Sequence, residues 1–304
     1  MAAAVEVVVA DVEAAVETKY FAGLSWRPAF AAGVLAHSDE INALEVMAEN
    51  YFSASTHELD TLAFLATQIP LTLHGVSMGL CSTERLNISK LKKFKELMHI
   101  IPAKGWSEHL SFVRHSAHEI GHMAAPPRTR ESITASIENI NRASDYLGSK
   151  PILENIATLA DPPCSQMSES EWIREIIEGA DCYLLLDLHN IYANTLNFGQ
   201  NLSLNLKKLP LERVRIIHLS GGRHIQEHSS SEKTRLLDDH LHDPPEILYS
   251  LLEKTLKQIG SQNIHVIIER DGKFPPFSQM LHQIRKVRNV FLNVSRNECN
   301  AIST

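Results

Sequence analysis

Cysteine is scarce and scattered in this chain, with four in 304 residues (Cys81, Cys164, Cys182, Cys299) and no CxxC pair. That spacing argues against a disulfide scaffold and gives little to a thiolate metal site, so buried free thiols are expected. No apolar run approaches the ~20 residues of a membrane span, and no membrane partner is expected. Basic residues are outnumbered, 29 against 36 acids, for a formal charge of −7. Phosphate contact needs clustered Lys and Arg, so nucleic acid is not the expected partner. Met1 to Glu17 carries four acids and lacks the basic flank of a signal peptide, which points to a cytoplasmic protein. No linker divides the chain. The expected layout is an N-terminal tail or helix over 1–22, one catalytic domain over 23–284, and a C-terminal extension over 285–304 that forms a terminal strand or tail.

What the chain does have is eight short apolar runs, each ending in a polar or charged group. In order they are Gly23–Arg27, Ala43–Asn50, Leu71–Gly75, Trp106–His109, Pro151–Asn155, Tyr183–Asn190, Val214–His218 and His265–Asp271. Continuous apolar strands suit a parallel sheet buried on both faces. Amphipathic stretches of helical period lie between them, at Thr56–Gln68, Ser89–His99, Thr129–Leu147, Glu169–Glu178 and Glu246–Ile259. Repeated strand–helix units over about 250 residues predict an α/β fold, a single (β/α)8 TIM barrel, with its site at the C-terminal strand tips. Two long polar stretches, His115–Arg128 and Gly221–Pro245, read as loops over the site mouth.

Histidine is abundant, at sixteen. The metal-capable groups at the strand ends and the second long loop are His74, Glu108, Glu154, Asn155, Asp187, His189, His218, Asp238, His240 and Glu269. Several ionised carboxylates buried together repel one another and each loses hydration; a multivalent metal cluster removes the conflict. Imidazole and carboxylate without thiolate favour iron, manganese or zinc. Asp238 and His240, two apart in an extended segment, point to one side and could grip one ion. The bland readings are a solvated mouth without metal, and Glu108 and Glu154 paired to Arg27, Arg215 or Arg270. His115, His118, His122, His224, His228 and His242 read as loop surface or substrate contacts.

These motifs resemble the DUF692 (UPF0276) family of multinuclear non-heme iron-dependent oxidative enzymes, which includes enzymes of methanobactin biosynthesis. The matching segments are Glu45-Val-Met-Ala-Glu-Asn-Tyr51, His74-Gly-Val-Ser-Met-Gly79, Ser107-Glu-His-Leu110, Leu153-Glu-Asn155, Leu185-Leu-Asp-Leu-His-Asn190, Ile217-His-Leu-Ser-Gly-Gly222, Asp238-Asp-His240 and Glu269-Arg-Asp271. The resemblance implies a xylose-isomerase-like barrel holding two or three iron ions (Fe2+/Fe3+), with O2 as co-substrate. It also implies oxidation of cysteine residues in a ribosomally made precursor peptide that a leader-binding partner protein delivers. Under it, Arg27 and Arg270 would anchor a peptide carboxylate or a supporting acid, and His109 and Asn190 would stand behind the ligands. Two positions depart from the family pattern. Met47 stands where many members have histidine, and His189 where many have asparagine. Two other readings stay open at this point: a divalent-metal sugar isomerase or epimerase, although no lysine stands at a strand end and only Trp26 and Trp106 could position a sugar, and a metal-binding protein without turnover.

Overall fold

The computed structural model describes residues 20–115, 118–226, 234–260 and 263–302, with side chains as far as 296. Residues 1–19 and His228 lie outside them, while Tyr20, Phe21 and Ala22, expected in the N-terminal tail or helix, open the first strand. Eight strands close into a barrel: β1 (Tyr20–Ser25), β2 (Ala43–Met47), β3 (Leu71–His74), β4 (Gly105–His109), β7 (Ile152–Glu154), β8 (Tyr183–Asp187), β9 (Val214–Leu219) and β12 (Ile264–Ile268). Their order around the wall is β1-β12-β9-β8-β7-β4-β3-β2, and every barrel pairing is parallel.

Both long polar stretches fold into antiparallel hairpins at the strand tips instead of remaining loops. β5 (Phe112–His115) pairs with β6 (His118–Ala124), and β10 (Gly222–Gln226) pairs with β11 (Thr234–Asp238). Their largely polar residues gave no strand alternation to read, and cross-strand pairing supplies what propensity does not.

The five helices read from periodicity are present as α2 (Thr56–Gln68), α3 (Ile88–Ile100), α4 (Arg130–Leu147), α5 (Glu169–Gly179) and α8 (Glu246–Ile259). Local chemistry sets several of their starts. Ser55 with Glu58, Thr129 with Ser132 and Ser168 with Glu171 form reciprocal caps on α2, α4 and α5. Gly148 ends α4 in the left-handed conformation. Four further helices complete the set among the described residues: α1 (Ala31–Ala36), α6 (Leu188–Phe198), α7 (Leu202–Lys208) and α9 (Phe277–Ile302).

α9 corrects the expected boundary at 285. One helix runs through it, with Met280, Leu281, Ile284, Val287, Phe291 and Val294 buried at helical spacing. Phe291 stacks on Tyr20 with ring centroids 5.0 Å apart, so residues past 285 seal the first strand. The thiols also divide: Cys81 and Cys182 are buried, whereas Cys164 is exposed in the loop after β7.

Between strands and helices lies the main apolar core. Inside the barrel a separate layer of Ala43, Leu185, Ile216 and Ile267, with Phe21 and Ile152 against it, fills the lumen. That layer is the floor on which the polar tips stand.

Candidate metal centre

Strand side chains alternate with period two, so the residue two beyond an inward-facing one also faces inward. Two residues past Ala43, Ile152, Leu185, Ile216 and Ile267 stand Glu45, Glu154, Asp187, His218 and Glu269. The apolar floor therefore aims five ligand-type side chains at one point above it. His74 and His109, the last residues of β3 and β4, complete the ring. All seven are buried.

The distances are short. His74 Nε2 is 3.5 Å and His109 Nε2 is 3.2 Å from Glu154 Oε2. His218 Nδ1 lies 3.1 Å from Glu269 Oε2 and 3.4 Å from Glu154 Oε1, while its Nε2 is 3.1 Å from Glu45 Oε1. Three sets bring one ligand atom per residue within 4.8 Å of the others: His74, His109 and Glu154; Glu154, Asp187, His218 and Glu269; and Glu45, His74 and Glu269.

A second cluster adjoins them. Asp238 Oδ1 is 2.9 Å from His189 Nδ1 and its Oδ2 is 2.9 Å from His240 Nε2, which lies 3.7 Å from Glu269 Oε2. His240 has φ +51°, a left-handed backbone that a non-glycine residue rarely adopts. Its Nδ1 is 3.2 Å from Asp271 Oδ2, and Asp271 in turn binds Arg27. A Cβ at Gly222 would sit 2.8 Å from His189 Cε1, so the glycine lets β10 close over that ring.

Close approach is not matched by hydrogen bonding. Glu154 Oε2, Asp187 Oδ2, His189 Nδ1, His218 Nδ1, His240 Nε2 and Glu269 Oε2 are buried without a hydrogen bond of acceptable geometry. Buried polar atoms are nearly always paired. Six that crowd together yet do not bond one another are arranged for something placed between them, and mixed imidazole and carboxylate donors fit a divalent or trivalent cation.

Electrostatics agree. Burial lifts the Asp187 carboxyl well above the usual range, and Asp238 and Glu154 lift it further. Burial likewise raises Glu45, against the pull of His218. Burial disfavours charge on His218, but Glu269, Glu45 and Glu154 outweigh it and hold the imidazole well above its ordinary value. The same contest leaves His240 raised, through Glu269 and Asp238, and puts His109 at about 9, through Glu154 and Glu108. His74 is pushed down by burial and by His109 and His218. Without a cation, protons must serve as the counter-charge to the carboxylates.

Of the expected ligands, His74, Glu154, Asp187, His218 and Glu269 enter the three sets, and His189, Asp238 and His240 form the adjoining cluster. Two stand apart. Glu108 accepts from the backbone N–H groups of His109 (2.8 Å) and Met78 (3.0 Å), and belongs to no set. The Asn155 carboxamide is spent on the Asp187 backbone, accepting from its N–H (2.9 Å) and donating to its C=O (3.0 Å). His109, expected behind the ligands, has a ring nitrogen in the first of the three sets. Glu45 was missed, although its parity with Ala43 was the signal that could have found it. His189 and Asn190 sit in the first turn of α6 and not on the strand, because Asp187 caps that helix by accepting from Asn190 N–H at 2.6 Å. Arg270 faces the loop, donating to Gly272 O, Lys273 O and Asp243. Trp106 packs edge-on against Phe94, and Trp26 donates to Tyr51 Oη.

A family model described as RiPP precursor modification enzyme MbnB/TglH/ChrH matches residues 21–291. The chain belongs to that family. Members of the MbnB/TglH/ChrH family modify the precursors of ribosomally made, post-translationally modified peptides. Among similar chains are UPF0276 proteins of Acinetobacter baylyi, 28% identical with 91% of this chain and 93% of that one covered, and of Acaryochloris marina, 29% identical with 87% and 92% covered. Solved structures with the same barrel include a xylose isomerase domain protein of Salmonella typhimurium (TM-score 0.59, 13% identity, covering 89% of this chain and 97% of that one) and D-psicose 3-epimerase of Clostridium cellulolyticum (TM-score 0.55, 13% identity, covering 91% and 98%). At that identity they show the xylose-isomerase-like fold alone. Among the described residues no helix is long and apolar enough to cross a membrane.

Proposed function

We propose that this member of the family holds two or three iron ions and uses O2 to oxidise cysteine residues of a ribosomally made precursor peptide. A leader-binding partner protein delivers that peptide, and the reaction runs in the cytoplasm, where ribosomal peptides are made. The observation that carries the reading is the set of six buried, unbonded donor atoms converging above the barrel floor. His74, His109 and Glu154 would hold one ion, Glu154, Asp187, His218 and Glu269 a second, and His189, Asp238 and His240 a third. Bound iron would supply an anchoring point for the substrate thiolate and electrons for O2.

The chain's own groups prepare that site. Gly75 O, 3.1 Å from His109 Nδ1, can only accept, so Nδ1 keeps its proton and Nε2, on the Glu154 side, is the nitrogen that would ligate once its own proton is released. Ser107 Oγ, 2.8 Å from His74 Nδ1, holds that ring in place. The pair of Arg27 and Asp271 fixes His240 from outside. The apolar floor shields the cluster from water on its lower side.

Metal analysis of protein purified without chelator, with O2 uptake measured on cysteine-bearing peptide, tests the reading. Iron should be present above one equivalent, and His218→Ala and Asp187→Ala should lose iron and turnover together. Wild-type iron content and rate in both variants would refute the ligand assignment. Iron without O2 consumption would leave a binding protein.

A further inference from the structure

One face of α6 carries Asn190, Asn194 and Asn197, spaced i, i+4 and i+7, and all three carboxamides clamp the elements around the site mouth. Asn197 donates to Leu236 O (3.0 Å) and accepts from Leu236 N–H (2.7 Å), which fixes β11. Asn194 donates to Ile156 O (2.9 Å) and accepts from Thr158 N–H (2.8 Å), which fixes the loop after β7. Asn190 donates to Asn155 O at 3.0 Å, but its Oδ1 has no donor among the described residues. A flipped amide does not explain this, because Asn155 O is a carbonyl and must face the NH2 group.

Asn190 is 97% buried and lines a cleft of about 310 Å³ that lies between the two hairpins and opens on Glu154, His109 and His240. The rest of the wall is apolar at Met123, Ile156, Leu159, Leu236 and Leu237 and polar at His122, Thr158 and Asp238. An acceptor left unmade in such a wall is costly unless a ligand, or water that a ligand would displace, supplies the donor. The geometry points to Asn190 as a substrate-binding residue: its Oδ1 accepts a backbone N–H of the peptide, from the reacting cysteine or the residue after it, while the flanking side chains rest on the apolar walls. This rests on the peptide-oxidation reading above and names the contact that orients the peptide there.

The test uses iron-loaded protein without O2 and three capped peptides: acetyl-Leu-Cys-Leu-amide and its two forms N-methylated at the cysteine or at the following leucine. Thiolate binding is read from the visible spectrum, and Kd from its titration. One methylation should weaken binding to wild type about tenfold, and neither should matter in Asn190→Ala. Equal Kd values for all three peptides on wild type would overturn the assignment while leaving thiolate binding to iron intact. Methylation losses as large in Asn190→Ala as in wild type would also overturn it, since they would be steric. Loss of iron from Asn190→Ala would make the residue part of the metal site instead. No spectral change with any peptide would sink the thiolate reading itself, and this inference with it.

Discussion

Glu154 is shared by two of the three ligand sets, so replacing it should cost more than replacing any neighbour. Its Oε2 serves His74 and His109 and its Oε1 faces His218. Glu154→Gln keeps the volume, removes the charge and turns one oxygen into an NH2 donor that cannot ligate. Changing residues that merely support a ligand lowers metal affinity roughly 10- to 100-fold. A ligand common to two positions should cost at least that at each, or about 3 to 5 kcal/mol over both. The assay is iron per protein, measured after equilibration at a free-iron level buffered near the wild-type midpoint. Glu154→Gln should retain at most the ion served by the His189 cluster. His109→Gln should lose one position and keep the set built on Asp187, His218 and Glu269. Wild-type iron content in a folded Glu154→Gln protein would refute the bridging argument, and equal losses in the two variants would refute the division into sets.

Glu108→Gln should hold wild-type iron yet unfold more easily by about 1 to 3 kcal/mol, because one of its two backbone N–H partners would then face an NH2 group; iron analysis and urea midpoints check both halves. Metal loading should release protons, since His109, His218, His240 and Asp187 all lie above their ordinary pKa in the cation-free cluster and must give up protons to ligate. Affinity should therefore rise with pH below the His109 value of about 9, and calorimetry in buffers of different ionisation enthalpy should show the release. His265, at the barrel floor against Phe21, is held at about 4 by burial, whereas the unfolded imidazole titrates near ~6.5. The unfolded chain then takes up the proton first, so this contribution is intact above ~6.5 and is lost as pH falls through about 4. Urea midpoints at neutral pH and near the folded value should fall more for wild type than for His265→Leu; equal falls would dismiss it. Phe291→Ala should cost about 3 to 5 kcal/mol, marking α9 as part of the barrel; a change within error would make it a dispensable tail.

The barrel was legible because its strands are apolar on both faces, a pattern that survives without knowledge of neighbours. Helix positions followed from the stripe and the caps, as at Ser55 and Glu58. The hairpins were not legible, since polar strands at a barrel mouth owe their pairing to partners distant in sequence, and α9 was divided at 285 because charge was read ahead of periodicity. In the site, identity was easier to read than role. Carboxylates and imidazoles at strand tips announced the cluster, but whether one is a donor or a prop depends on where its remaining atoms bond. Glu108 and Glu154 each stand near a strand end just before another polar residue, and residue type alone does not separate them; the backbone amides of Met78 and His109 hold Glu108. Glu45 shows the converse. It sits mid-strand, away from the tip, and only counting in twos from Ala43 turns it inward. Parity within a strand, carried up from the apolar floor, is thus the rule that separates ligands from neighbours here, and His74 on Thr72 and His109 on Ser107 obey it as well. It predicts that Met47, two beyond Glu45 and in register with His74, also faces the lumen at the level of the cluster. A thioether at that height adds a soft, neutral surface to a ring otherwise made of acids and imidazoles, and Met47→His would place a further imidazole there without altering the barrel.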